Sequence, residues 1–214
     1  VCVLALYGVL FLPFATFRAN RIVQGEGHML WTALPMLPAL LFALVILAAM
    51  IVSLVKTPPV LRLSAAVGAL LALFVFVGMA GTHLVPADDR LARASPASGF
   101  WVLVLAFAVL MADALVRMAL SPLLRIALLC CGIAAGVALL SMGLWDSLSI
   151  MKEYANRAES FRTEGTKHLM LAFGSMAAAV AVGLPLGLLC HRIRPVRVSV
   201  LNVLSVIQTI PSIA

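Results

Sequence analysis

Apolar residues in this chain come in long unbroken runs, not in alternating or amphipathic patterns. Residues 34–55, 63–85, 100–120, 126–145 and 169–190 form five runs of 20 to 23 residues. That is the length a helix needs to cross a hydrocarbon layer about 30 Å thick. Two further runs, 1–17 and 198–214, reach only 17 residues each. Both read as spans cut short, and a chain that starts on Val1 is expected to be part of a longer protein. The runs are rich in Ala and Leu and lack a period of two, which excludes strands. The expectation is an all-α, polytopic membrane protein with about seven transmembrane helices.

Between these runs the connections alternate in character. Three short ones carry Lys56, Arg62, Arg117, Arg125, Arg192, Arg194 and Arg197 and no acid. Three longer ones, 18–33, 86–99 and 146–168, hold every acidic residue except Asp113. Raw Lys and Arg counts are nearly equal on the two sides, but the short loops concentrate theirs beside helix ends, as cytoplasmic loops do. The short loops, and with them the N-terminus, are therefore expected in the cytoplasm. Trp31, Trp101 and Trp145 then fall on the external side, where an interfacial belt would place them. The external stretch 146–165 has a helical period of its own. Met151, Tyr154, Ala158 and Phe161 share one face, while Lys152, Glu153, Arg157 and Glu159 fill the rest. Glu153 and Arg157 have the i,i+4 spacing of a favourable pair, and Ser147 or Ser149 suits the cap. This reads as an amphipathic helix at the membrane surface.

Composition supports the same class. Hydrophobic residues make up 64% of the 214 and charged residues 11%, against about 25% charged in a soluble domain. A soluble domain could not hide so much apolar surface. The net charge of +7 lies in loops beside spans, so it signals topology and not nucleic acid. The four cysteines and four histidines show no metal spacing, no disulfide framework is implied, and no nucleotide-binding or hydrolase motif is present. No catalytic residue, cofactor or metal is expected.

Asp113 is the one acid inside a span, and such charges are functional candidates. It lies about 20 Å from the outer end of its run, and Arg117 follows in i,i+4 register, so an ion pair reaching the inner interface is the plainer reading. Gly132 with Gly136, and Gly183 with Gly187, form G-x-x-x-G pairs that let helix backbones approach closely. Gly68 with Ala72 is a weaker version. Pro185 and Pro211 are each expected to bend their helices.

The last third carries the most specific motifs. Residues 183–187 read G-L-P-L-G and residues 208–214 read Q-T-I-P-S-I-A. Upstream lie L-W-D-S-L-S-I-M-K-E-Y-A-N-R at 144–157 and N-R-I-V-Q-G-E-G at 20–27. Together these resemble the membrane subunits of binding-protein-dependent ABC importers for osmoprotectants such as glycine betaine and choline. The resemblance is to the branch with extra N-terminal spans. It implies accessory helices over 1–145, an external amphipathic segment over 146–165, and the truncated start of the permease domain over 166–214. It also implies a bacterial inner-membrane location and several partners: an ABC ATPase subunit inside, a substrate-binding protein outside, a second permease copy, and the surrounding lipid. Nucleic acid is not among them. ATP would be hydrolysed on the partner chain. Within the second motif Gln208, Thr209, Pro211 and Ser212 stand together in an otherwise largely apolar run. Pro211 leaves the Ile207 carbonyl without its helical donor, so these four are candidates for the translocation path. The rivals are an ion-coupled secondary transporter, which would need Asp113 facing water, and a structural membrane subunit.

Overall fold

The computed structural model describes residues 1–86, 88–89 and 91–209. Its order is α1 (Cys2–Leu10), β1 (Ala15–Arg18), β2 (Glu26–His28), α2 (Leu30–Ala33), α3 (Met36–Leu54), α4 (Pro59–Leu84), β3 (Arg93–Pro96), α5 (Ser98–Met118), α6 (Pro122–Ser141), α7 (Ser149–Arg192) and α8 (Arg194–Thr209). Helices α3, α4, α5, α6 and α7 are each long and apolar enough to cross a bilayer. The protein is an all-α polytopic membrane protein. Contacts divide the chain into two units that meet between Asn156 and Arg157.

Prolines set the helix boundaries. Pro58 and Pro59 end one span and begin the next, with Pro59 at the start of α4, where its missing N–H costs nothing. Pro122 does the same for α6, whose Ser121 Oγ accepts the Leu124 N–H at 3.4 Å. Helix α5 stops at Ala119, which adopts a left-handed conformation (φ 43°).

In the first unit α5 packs on α4 and α1, and α3 packs on α4 and α1. The core between them is aromatic. Phe14 meets Phe42 at 5.6 Å and Phe100 at 6.2 Å, Phe42 stacks on Phe76 at 4.8 Å, and Phe74 meets Phe100 edge-on at 5.6 Å. Leu73, Val77, Leu103 and Phe107 fill the centre. Helices α1 and α5 cross at glycine. A Cβ on Gly99 would lie 2.7 Å from the Gly8 carbonyl oxygen.

Three expectations are corrected here. The run 1–17 is not a single helix. Helix α1 ends at Leu10, about 14 Å long, because Pro13 has no N–H and the chain then turns into β1. Nor is the run free of strand, as its lack of alternation implied, since β1 begins within it. Strand β1 is the centre of an antiparallel sheet ordered β2-β1-β3, with Ala15 opposite both His28 and Pro96. The fourth full run also ends early, at Ser141. Gly143 takes φ +68° and the chain folds back, so Trp145 and Leu148 pack on α4 and do not extend the span. Trp145 Nε1 donates to the Phe74 carbonyl at 3.0 Å, and Leu148 is buried. Trp31 and Trp101 are exposed. The close approach on α4 falls at Gly78 and Gly81, which face Leu144, Trp145 and Leu148, while Gly68 faces open space.

Helix α7 carries the amphipathic stretch and the next apolar run as one element. Its dihedrals leave the helical region at Arg157 (φ −125°, ψ 17°) and not at Pro185. In the second unit α8 follows from Arg194, and neither α7 nor α8 has a buried residue among those described.

Candidate functional site

The two ends of the first unit are built differently. At one end lies the sheet. Helices α1 and α4 run into it and α5 runs out of it, so the strands sit at the tip of the bundle. The start of α7 is fastened there. Lys152 Nζ donates to the carbonyls of Ala92 at 2.6 Å and Asp89 at 3.3 Å. Glu153 is paired with Arg21 and lies 3.7 Å from the buried Arg93. Asp89 orders its loop by accepting the backbone N–H groups of Leu91 and Ala92 at 2.8 and 2.9 Å. Those bonds, first Ala92 and then Leu91, hold its carboxyl below the usual range.

At the opposite end the α3–α4 and α5–α6 connections place the basic residues. Arg117 Nε donates to Asp113 Oδ1 at 2.8 Å, one helical turn away on α5. The sequence reading named this pair but missed its third member. Arg62, three residues into α4, donates to Asp113 Oδ2 at 3.0 Å. Arg62 also donates to the Val55 carbonyl at 3.1 Å and to Thr57 Oγ1 at 3.3 Å, so it joins the end of α3, the loop and α5. Its side chain is only 16% exposed. Nothing in the local sequence signals this partner, 51 positions away; the only hint was a second arginine in the same set of loops. Beside the triad a cleft of about 500 Å3 is lined by residues that include Cys2, Ser53, Arg62, Leu110, Asp113 and Arg117. Cys2 Sγ lies 3.2 Å from Ser53 Oγ.

The remaining sequence candidates are not brought together by the described residues. Gly132 and Gly136 on α6, and Gly183 and Gly187 on α7, have open space where a side chain would start. No residue of α6 is buried. Gln208 and Thr209 lie in the last turn of α8, and Pro211 and Ser212 lie outside the described residues. Among the described residues no His, Cys, Asp and Glu group could hold a metal ion.

A bundle of apolar spans with these charges at its two ends is the build of a membrane-embedded protein. Residues 1–151 match the family described as the N-terminal domain of the ABC transporter permease YehY. The chain belongs to that family: it is a multi-pass inner-membrane permease subunit of an ABC transporter, not an enzyme. The match ends at Met151, inside the first turn of α7. Neither a curated protein nor a solved structure gives a match.

Proposed function

We propose that this chain is the N-terminal part of the permease of an ATP-driven importer that takes up an osmoprotectant of the glycine betaine or choline type. The family match carries the permease role. The G-L-P-L-G and Q-T-I-P-S-I-A segments, at 183–187 and 208–214, support the importer class and its substrate. In this reading residues 1–145 are accessory helices, 146–165 form the external segment, and 166–214 open the permease domain. An ATPase pair sits on the cytoplasmic side, a binding protein delivers substrate outside, and a second permease copy completes the path. The density of basic residues in the short loops supports a cytoplasmic N-terminus. Gln208, Thr209, Pro211 and Ser212 are proposed path residues. Selectivity for a quaternary ammonium would reside in the binding protein, since cation–π recognition needs an aromatic cage. The two arginines on Asp113 favour a structural role for it over an ion relay.

The test is uptake of labelled glycine betaine and choline by proteoliposomes holding the whole transporter and its binding protein. Uptake that requires internal ATP and survives a protonophore is expected. Uptake driven by an ion gradient without ATP would refute the reading, and ATP-dependent uptake of other solutes alone would refute the substrate. Pro211→Ala is expected to impair transport while the complex still assembles. Wild-type rates at matched expression would remove Pro211 from the path.

A further inference from the structure

We propose that Lys152 and Glu153 are positioning residues for transport: they fix the sheet end of α7, the helix that carries the apolar run 169–190. The proposal rests on the importer reading, in which that run opens the permease domain.

The first argument is the set of holds on one short stretch of chain. Trp145 Nε1 donates to the Phe74 carbonyl of α4 at 3.0 Å. The Ala94 N–H of β3 donates to the Ser147 carbonyl at 3.4 Å. Leu148 is buried, with its Cδ2 3.0 Å from where a Cβ on Gly81 would lie. Lys152 then reaches the carbonyls of Ala92 and Asp89, and Glu153 pairs with Arg21 and Arg93. The stretch 145–153 is thus held by α4, by β3, by the loop before β3 and by the turn after β1.

The second argument is the kind of group used on the helix itself. Apolar side chains could hold α7 by burial, and a buried ion pair is seldom more stabilising than apolar groups of the same volume. What charged groups add is a defined geometry. The Lys152 ammonium meets two carbonyls of one loop, and the Asp89 carboxylate orders that same loop. The Arg93 guanidinium is kept beside Glu153 although its side chain is only 10% exposed. Long side chains held in this way lose rotamer freedom, a cost that makes sense where position matters more than stability. The third argument is continuity. Helix α7 runs on from this turn to Arg192 and leaves helical dihedrals at Arg157. The apolar run begins 16 residues past Glu153, about 24 Å along a helix. Holding one end of a helix restricts where the rest of it can go, and Arg157 is the point at which its direction can change.

The experiment uses the full-length permease with its ATPase and binding protein in proteoliposomes. Solute taken up per ATP hydrolysed is measured at equal amounts of assembled complex. A purely structural role would change the amount of complex and not this ratio. Lys152→Met combined with Glu153→Gln should lower the ratio about tenfold, the factor by which losing one charge-assisted hydrogen bond shifts the balance between fastened and released α7. Lys152→Arg, which keeps the charge and donors, should retain most of it. In a cysteine-free background, Arg21→Cys with Glu153→Cys should also lower the ratio, and bridging the two thiols with a short bifunctional reagent should restore it. An unchanged ratio in the Lys152→Met, Glu153→Gln protein overturns the proposal. If that protein does not assemble, the cysteine pair, which leaves Lys152 in place, decides: equal ratios before and after bridging overturn it. No ATP-driven uptake by the wild type would remove the importer reading and this proposal with it. Wild-type uptake with unchanged ratios in the variants would remove the proposal alone.

Discussion

Gly99 lies where α5 meets α1, and a single methyl group there tests the crossing. A Cβ would lie 2.7 Å from the Gly8 carbonyl oxygen, 2.8 Å from that of Pro13 and 2.9 Å from that of Leu12. Ordinary carbon–oxygen approaches begin near about 3.3 Å. Gly99→Ala therefore forces backbone apart by about half an ångström at three points, none of them a side chain that could swing away. The Gly99 N–H bond to the Pro13 carbonyl, 2.8 Å long, would be stretched with it. Overpacking of this kind costs about 1–3 kcal/mol. Alanine recovers up to about 1 kcal/mol through helix propensity, less at a helix start. The net expectation is a loss of about 1–2 kcal/mol. Gly132 on α6 has no atom within 4 Å of its Cβ position, so Gly132→Ala should be neutral or stabilising within this chain. Unfolding of the purified permease by increasing sodium dodecyl sulfate in mixed micelles, followed by circular dichroism, measures both. If Gly99→Ala matches or exceeds the wild type, the close crossing of α1 and α5 is wrong.

Four shorter predictions accompany it. Trp145→Phe keeps the ring near Phe74 but removes the indole donor, so it should cost about 1 kcal/mol in the same titration; an unchanged midpoint would mean the Phe74 carbonyl bond contributes nothing. Arg62→Gln should lower thermal stability more than Arg117→Gln, because Arg62 holds three elements and Arg117 one carboxylate; the reverse order would contradict the triad. The Asp89 carboxyl is held below its ordinary value, so the order it gives its loop is fully present above the unfolded-state value and is lost as pH falls through the lower, folded one. Exchange of the Leu91 and Ala92 amides, corrected for intrinsic rates, should therefore stay protected from neutral pH down to the acid range, and Asp89→Ala should lose protection already at neutral pH; equal protection in the variant would refute the turn. For topology, Ile22→Cys at the sheet end, where Ile22 is 94% exposed, and Lys56→Cys at the opposite end are read in a cysteine-free background. An impermeant maleimide added outside intact inner membranes should label the first only, and the opposite result reverses the orientation.

The sequence by itself determined the class and most of the spans. Runs of 20 or more apolar residues have one stable environment, and a helix is the backbone form that satisfies its own polar groups there. Proline and glycine at the run ends then mark where each helix stops. The Asp113–Arg117 spacing was legible because both partners share one helix face. Tertiary structure decided what depends on residues far apart in the chain. Strand β1 lies inside a run that reads as a span, and its partners come from two polar loops, so only the sheet register shows that Ala15 pairs with both His28 and Pro96. Trp145 looked like a belt residue until the turn at Gly143 laid it on α4 beside Gly78. Arg62 counted only as loop charge until the packing of α4 on α5 brought it to Asp113. Helix periodicity reaches four residues along the chain, and nothing in it encodes which helix will supply the second arginine.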